Sequence, residues 1–365
     1  MTVKQVSQYL ESIAPLSLQE SYDNAGLIVG NPKTEVTGVL CCLDSTEEII
    51  DEAIEKGCNL VVAHHPIVFG GLKKLNGKNY IERTVIKAIK NDIAIYAIHT
   101  NLDNVYKQGV NQRISEQLGL TNLKILSPKK GLLKKLFTFC PSKNADEIQQ
   151  AMFNAGAGHI GNYDSCSFNI EGFGTFRGGE NTNPHVGKKG ELHKEGETKI
   201  EVVFPAYLQG KIVSALLNAH PYEEVAYDII SLENKHLQVG SGMFGELETE
   251  LDEVSFLQLL KDKMQAKCVR HTALRSKKIK KVAVCGGSGS FLLNNAIGAG
   301  ADVFVTADYK YHQFFDADNQ IVIADIGHYE SEQFTINLLS EILSQKFANF
   351  AVFSTERNTN PVNYF

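Results

Sequence analysis

The sequence lacks the features of a membrane or secreted protein. None of the apolar runs in its 365 residues is long enough to cross a bilayer as a helix. The first residues, Met1-Thr2-Val3-Lys4-Gln5-Val6, do not contain the apolar core of a signal peptide. We therefore expect a cytoplasmic protein that has no membrane partner.

Paired cysteines are also missing. The seven cysteines are an odd number, and no two of them form a C-x-x-C motif. This pattern predicts neither a disulfide framework nor a zinc site built from thiolates. Unpaired thiols fit a reducing compartment, which agrees with a cytoplasmic location.

An excess of basic residues is absent as well. The formal net charge is -6 and the pI is about 6.0, which argues against nonspecific nucleic-acid binding as the main activity. Hydrophobic residues make up 43% of the chain and charged residues 21%, as in ordinary globular proteins. The length is sufficient for two or three domains.

The most informative stretch present is Leu60-Val61-Val62-Ala63-His64-His65-Pro66. Its apolar run predicts a buried strand, and Pro66 must end that strand because proline cannot donate to a sheet ladder. Neighbouring side chains on a strand point to opposite faces. His64 and His65 could therefore bind two different ions, or one could be a ligand while the other packs in the core.

Strands alternate with helices in two parts of the chain, residues 1–128 and 238–365. This rhythm predicts an α/β core in which two related lobes contain largely parallel sheets. The intervening residues 129–237 predict an inserted α+β domain with a ferredoxin-like order of elements. We expect a strand pair at Tyr163–Ile170 in this insert, and one long helix from His328 to about Leu343 near the end of the chain.

Residue types that bind metals collect after four predicted strands. The four sets are His64 with His65, His99 with Asp103, Asp308 with His312, and His328 with Glu332. His328 and Glu332 are four residues apart at the start of a helix and therefore share one face. Nitrogen and oxygen ligands without thiolates predict a divalent metal site for zinc, manganese, iron or cobalt.

Five motifs surround the candidate ligands: Ser21-Tyr22-Asp23-Asn24-Ala25-Gly26-Leu27, Ala63-His64-His65-Pro66, His99-Thr100-Asn101-Leu102-Asp103, Thr306-Ala307-Asp308-Tyr309-Lys310-Tyr311-His312 and Gly327-His328-Tyr329-Glu330-Ser331-Glu332. They resemble the motifs of the NIF-three-like family of GTP cyclohydrolase 1 type 2 homologues. The motifs lie within residues 1–128 and 238–365. The inserted segment resembles the PII-like domain of longer bacterial members.

The resemblance implies a dinuclear metal centre and a ring-shaped homohexamer. The residues that would hold two divalent ions, with zinc as the first expectation, are His64, His65, Asp103, His328 and Glu332. His99, Asp308 and His312 are polar neighbours with less defined roles. Either His99 or His312 could donate a proton, while Asp308 and His312 could instead orient ligands or form an acid/base pair.

Two functions are consistent with this pattern. The first is a metal-dependent hydrolase, in which an activated water attacks a nucleotide-type substrate such as GTP. The second is a metal-binding regulatory or scaffold protein whose insert senses a small molecule. The segment Gly286–Ser290 could bind a phosphate with its backbone amides, although an ordinary strand-to-helix turn is the alternative.

Overall fold

The computed structural model describes residues 1–365, which form two compact units. One unit comprises Met1–Pro128 with Gln238–Phe365, and the other comprises Lys129–Leu237. The division falls where the rhythm of strands and helices changes in the sequence. No helix has the length and apolar character needed to cross a membrane.

The first segment of the larger unit alternates strands with helices. Its elements are α1 (Val3–Ile13), β1 (Gly26–Val29), β2 (Val39–Asp44), α2 (Glu47–Glu55), β3 (Leu60–His65), α3 (Tyr80–Lys90), β4 (Ala94–Ala97), α4 (Thr100–Asp103), α5 (Val110–Gln117) and β5 (Thr121–Lys129).

The smaller unit has the order βαββαβ. Its elements are β6 (Leu133–Pro141), α6 (Ala145–Asn154), β7 (Ser167–Arg177), β8 (Leu192–Pro205), α7 (Gln209–Ala219) and β9 (Tyr227–Leu232). They form a four-stranded sheet in the order β7-β8-β6-β9, and all three neighbouring pairs are antiparallel. This is the element order of ferredoxin-like folds.

The last segment returns to the larger unit. Its elements are β10 (His236–Asp252), α8 (Glu253–Lys263), β11 (Arg270–His271), β12 (Lys278–Ser288), α9 (Leu293–Gly298), β13 (Val303–Ala307), β14 (Val322–Asp325), α10 (His328–Glu332), α11 (Thr335–Lys346) and β15 (Val352–Ser354).

Two mixed sheets organise the larger unit. In the first, ordered β1-β4-β3-β2-β15, the strands from β4 to β15 run parallel and only β1 is antiparallel. In the second, ordered β11-β14-β13-β12-β10-β5, strands β14, β13 and β12 are parallel, while β11 and β10 are antiparallel to their neighbours. The prediction of a mixed α/β chain with several sheets is confirmed.

The strand before the paired histidines is buried on both faces. Leu60, Val61, Val62 and Ala63 are each at most 1% exposed. Parallel strands covered by helices need apolar side chains on both faces, which explains the continuous apolar run in the sequence. This packing fixes the end of β3, where the histidines begin.

Two predicted boundaries were wrong. The expected strand pair at Tyr163–Ile170 is replaced by the long antiparallel ribbon of β7 and β8, which continues through the glycine-rich stretch. The expected single helix from His328 is divided into α10 and α11. The amide of Ile336 donates to Gln333 O at 3.3 Å, a tighter i to i+3 contact that separates the two helices.

A matched pair of leucines in α7 tests the core of the smaller unit. Leu216 is fully buried among Leu136, Ile200 and Phe204, whereas its neighbour Leu217 is 45% exposed. We expect Leu216→Ala to lower the free energy of unfolding by about 2–5 kcal/mol, because it removes a buried side chain and leaves a cavity.

Leu217→Ala is the control for this prediction. It makes the same chemical change in the same helix, but we expect a loss below about 0.5 kcal/mol because the site is exposed. Urea unfolding followed by circular dichroism measures both variants. Equal losses would contradict the assigned core.

Candidate metal centre

His64 and His65 leave the end of β3 with different hydrogen bonds. The His64 side chain is fully buried, and its Nδ1 lies 2.9 Å from the carbonyl oxygen of Ile98. Because a carbonyl can only accept, Nδ1 carries a proton and Nε2 faces the carboxylates of Asp103 and Glu332. His65 Nδ1 instead lies 2.8 Å from Asp44 Oδ1, at the end of the neighbouring strand β2.

The carboxylate of Glu332 lies between the imidazoles. Its Oε2 atom is 3.0 Å from His65 Nε2, 3.1 Å from His328 Nε2 and 3.8 Å from His64 Nε2. The Glu332 side chain is only 3% exposed. Ligand atoms from both sheets therefore meet around one buried carboxylate.

Two buried polar atoms in this cluster have no hydrogen-bond partner. They are His64 Nε2 and Asp103 Oδ1, which are 3.7 Å apart. A buried polar atom without a partner is costly, so such atoms point to a missing ion or water. An imidazole nitrogen facing a carboxylate oxygen fits a divalent cation between them.

Two overlapping triads of side chains could hold metal ions. In one, His65, His328 and Glu332 bring their ligand atoms within 4.8 Å of one another, and in the other His64, Asp103 and Glu332 do so. Glu332 is common to both triads and has two carboxylate oxygens. The residues present thus fit a divalent metal ion, and Glu332 belongs to both groups. A third group, His64, His65 and His99, meets the same criterion.

Each of three histidines is oriented by an aspartate. Asp44 holds His65, Asp308 accepts from His328 Nδ1 at 2.7 Å, and Asp23 accepts from His99 Nδ1 at 2.7 Å. An aspartate on Nδ1 fixes the ring and directs Nε2 towards the cluster.

The Asp23 carboxylate, which orients His99, makes two further hydrogen bonds. It also accepts hydrogen bonds from the amide and the hydroxyl of Thr100. Burial alone would raise the pKa of Asp23, but hydrogen bonds from His99 and Thr100 lower it to about 2. Asp23 is therefore a permanent anion behind His99.

Burial and neighbouring charges shift the pKa values of four side chains in the cluster. Burial would lower the pKa of His65, but Asp44 and Glu332 raise it to about 9. Burial would also lower the pKa of His328, but the Glu332 charge and Asp308 raise it to about 11. Burial and repulsion by Glu332 raise the pKa of Asp103 to about 7. For Glu332, the charge and hydrogen bond of His328 outweigh the effect of burial and hold the pKa well below its usual range.

The structure separates Asp308 and His312, which the sequence placed together. Asp308 has a left-handed φ of 58° and contacts His328, so it orients a predicted ligand. His312 lies on the 3-10 turn Tyr311–Ala317, with its ring 5.1 Å from that of Tyr311. His312 does not line the cavity of the cluster, and its position gives no support to a role in proton donation.

The glycine pair at the end of β12 packs against the cluster, and both of its amides are already hydrogen-bonded. The Gly286 amide donates to Asn111 Oδ1 at 3.0 Å, and the Gly287 amide donates to Ser331 Oγ at 2.9 Å. Gly287 has a φ of +60°, and a Cβ there would lie 2.5 Å from Glu332 Oε1. Glycine is required because the turn approaches the Glu332 carboxylate closely.

A cavity of about 750 Å³ opens from the cluster. His65, His99, Asp103, His328 and Glu332 all lie in its wall. The C-terminal segment also contributes to the wall. Thr359 Oγ1 donates to Asp44 Oδ2 at 2.7 Å, and Asn360 Nδ2 donates to Glu330 Oε1 at 3.0 Å.

Sequence reasoning missed four of these residues as parts of the site. Asp23 lies within a motif and Asp44 lies at a strand end, so their positions could have suggested a role. Thr359 and Asn360 carry no such signal, because their contacts depend on how the chain returns after β15.

The raised histidine pKa values predict pH-dependent zinc binding. Protons remain on His65 and His328 below those pKa values and must leave before the nitrogens bind an ion. We expect zinc affinity to rise from about pH 6 to about pH 9, by at least about tenfold per pH unit.

Competition with a chromophoric chelator measures this affinity at each pH. Calorimetry in two buffers with different ionisation enthalpies counts the protons released. An affinity that stays constant across this range, with no proton release, would contradict the assignment.

Comparisons with known proteins agree with the motifs. A family model described as Duf34/NIF3 (NGG1p interacting factor 3) matches residues 1–361. A Bacillus subtilis protein named GTP cyclohydrolase 1 type 2 homolog is 37% identical over 367 residues, which cover 99% of this chain and 98% of that protein. The relative with the same name from Halalkalibacterium halodurans is 38% identical over 364 residues, or 98% of each chain.

Solved structures show the same architecture over the whole chain. A Bacillus cereus protein related to NIF3 has a TM-score of 0.88 at 39% identity, covering 100% of this chain and 99% of that one. The Staphylococcus aureus protein SA1388 has a TM-score of 0.80 at 33% identity, with the same coverage. With its cluster of histidines and carboxylates and these matches along its length, the chain belongs to the Duf34/NIF3 family.

Proposed function

We propose that the protein is a dinuclear metal-dependent hydrolase that uses water to attack a nucleotide-type substrate. The observation that carries this proposal is the sharing of Glu332 by two triads of metal-ligand type. The name GTP cyclohydrolase 1 type 2 homolog, which the relatives carry, supports the substrate type. The reaction would be the hydrolytic opening of a nitrogen heterocycle such as that of GTP.

The ligand assignment follows from the two triads. His64, Asp103 and Glu332 would hold one divalent ion, and His65, His328 and Glu332 would hold the other. Such a pair, when bound, supplies Lewis acidity towards water and substrate. The nitrogen and oxygen donors suit zinc first, with manganese, iron and cobalt as alternatives.

His99 is the residue best placed to move a proton. Its Nδ1 is held by Asp23, its ring centroid lies 5.4 Å from that of His65, and it lines the cavity. An Asp–His pair of this geometry can donate a proton from Nε2, after which the neutral imidazole keeps its Nδ1–H bonded to the Asp23 carboxylate. Opening a ring by hydrolysis requires such a donor at the leaving nitrogen.

Two aspartates orient the imidazoles of His65 and His328 for the proposed reaction. Asp44 and Asp308 keep Nε2 of His65 and His328 directed at Glu332. These aspartates are positioning residues, because they act through the histidines and do not reach the cluster centre themselves. We further propose that the chain assembles as a ring-shaped homohexamer, which the resemblance of its motifs supports.

Turnover of GTP by zinc-loaded protein tests the hydrolase proposal. We expect His65→Ala to abolish the activity together with metal binding. Asp23→Asn should lower kcat by about 10²–10⁴-fold, because His99 loses the anion that stabilises its protonated form. The metal content of Asp23→Asn, measured by elemental analysis, should equal that of the unchanged protein.

Two results would oppose the proposal. Absence of product above the His65→Ala background, for GTP and for a panel of nucleotides and phosphoesters, would defeat the hydrolase function. Less than one ion per chain, unchanged by Glu332→Ala, would defeat the metal centre itself.

A regulatory function is the second candidate, because the smaller unit contains its own cavity. This cavity measures about 520 Å³ and is lined by residues of that unit, including Phe139, Glu197 and Tyr222. Tyr222 Oη donates to Glu197 Oε1 at 2.8 Å, so polar groups inside the cavity are already positioned. A small molecule bound there would make the PII-like insert a sensor.

Deletion of Lys129–Leu237 separates the two functions. Gly240 lies directly against Ser127 and Pro128, so a short linker can rejoin the chain. We expect a hydrolase to keep its turnover and metal content after the deletion, because its residues all lie in the larger unit. Loss of turnover with full metal content and an unchanged circular dichroism signal of the core would favour the sensor.

A further inference from the structure

We propose that the cavity binds its substrate through a planar, nearly uncharged heterocycle and gains no affinity from a polyphosphate. This inference rests on the proposed function and specifies which part of a nucleotide the site recognises. The chemical class is a purine-type base or nucleoside. The arrangement of aromatic and acidic side chains around the metal-ligand cluster supports it.

Exposed aromatic side chains line part of the cavity. Tyr22, Phe69 and Phe291 line it and are 63%, 51% and 67% exposed, respectively. Exposed aromatic rings beside a polar cluster are typical of ligand-binding surfaces. Their flat faces are suited to stacking with a planar ring.

The aromatic surface continues directly to the proton donor. The rings of Tyr22 and Phe69 lie 6.2 Å apart, and the Phe69 ring lies 6.0 Å from that of His99. His99 in turn is 5.3 Å from His64 and 5.4 Å from His65. A heterocycle stacked on Phe69 would therefore have its edge next to His99 and the metal-ligand cluster.

The remainder of the wall is acidic. Seven lining side chains are carboxylates, among them Asp44, Asp308 and Glu330. Arg270 is the only lysine or arginine in the wall, and it is paired with Asp325 and donates to Tyr309 O at 3.1 Å. Even two divalent ions leave this lining with an excess of formal negative charge.

A triphosphate is poorly matched to such a wall. Polyphosphate sites use lysine, arginine and free backbone amides at a helix start. Here the amides of Gly286 and Gly287 are used by Asn111 and Ser331, and the turn leads into a helix of only six residues. Phosphates that extend beyond the metal-ligand cluster would meet carboxylates of the same sign.

Equilibrium binding of guanosine and GTP to the zinc-loaded protein tests the inference. We expect guanosine to bind at least as tightly as GTP at about 150 mM salt, and about tenfold more tightly at about 25 mM salt, where repulsion of the phosphates is less screened. Calorimetry gives the affinities, and chromatography of the recovered ligand establishes whether it remained intact.

Phe69→Ala tests the stacking surface against a matched control. We expect it to weaken guanosine binding by about tenfold, as the loss of a base–aromatic stack does. Phe168→Ala removes a ring that is 65% exposed in the smaller unit and should leave the affinity unchanged. Metal content should be equal in both variants.

Three outcomes would overturn the inference. They are GTP binding about tenfold tighter than guanosine, an affinity for GTP that rises as salt is lowered, and a change of oligomeric state in Phe69→Ala without a change in guanosine affinity. Failure of the hydrolase proposal remains distinguishable. In that case guanosine would bind and depend on Phe69, but it would be recovered unchanged.

Discussion

The buried carboxylate of Glu332 is the constraint on which the site depends. A carboxylate that is 3% exposed is costly to keep ionised unless it is compensated by cations or hydrogen bonds. His65 and His328 provide that compensation from two different sheets. The contacts that compensate the charge of Glu332 also bring two imidazole nitrogens close to its carboxylate, and these are the side chains that could hold a metal ion.

The two sheets contribute to the site in the same way. In each, a strand end supplies an aspartate whose carboxylate orients a histidine, Asp44 with His65 in the first sheet and Asp308 with His328 in the second. Parallel strands have their carboxyl ends at one edge, which is where ligands bind in α/β sheets. Histidines that follow strands of both sheets thus meet at Glu332, whose Oε2 lies 3.0 Å from His65 Nε2 and 3.1 Å from His328 Nε2.

The sequence was sufficient to predict the alternation of strands and helices and the collection of ligand-type residues at strand ends. It could not reveal the orientation of a hydrogen bond, so Asp23 and Asp44 remained without a role. It grouped His312 with Asp308 because both follow the same predicted strand. The left-handed backbone at Asp308 and the following 3-10 turn take His312 away from the cavity. Local backbone geometry of this kind depends on tertiary contacts, which spacing alone does not report.

The antiparallel ribbon of β7 and β8 shows a second limit of prediction from the sequence. The strand pair expected at Tyr163–Ile170 ends before the glycine-rich stretch that follows it. In the structure, β7 pairs with β8 along its whole length, and a Cβ at Gly174 would collide with the Glu197 side chain. Gly174 thus leaves room for the Glu197 side chain, a contact that strand propensity cannot anticipate.

The C-terminal segment connects the two halves of the site after both sheets are complete. Thr359 binds the second oxygen of Asp44, whose first oxygen orients His65, and Asn360 binds Glu330 in the helix that carries His328 and Glu332. One short segment therefore restrains a positioning residue from the first sheet and the ligand helix of the second. Because neither contact touches a metal-ligand atom, the segment can stabilise the geometry of the centre without occupying a coordination position. Asn360 and Tyr364 of this segment also line the cavity, so the segment that contacts Asp44 and Glu330 forms part of the cavity wall as well.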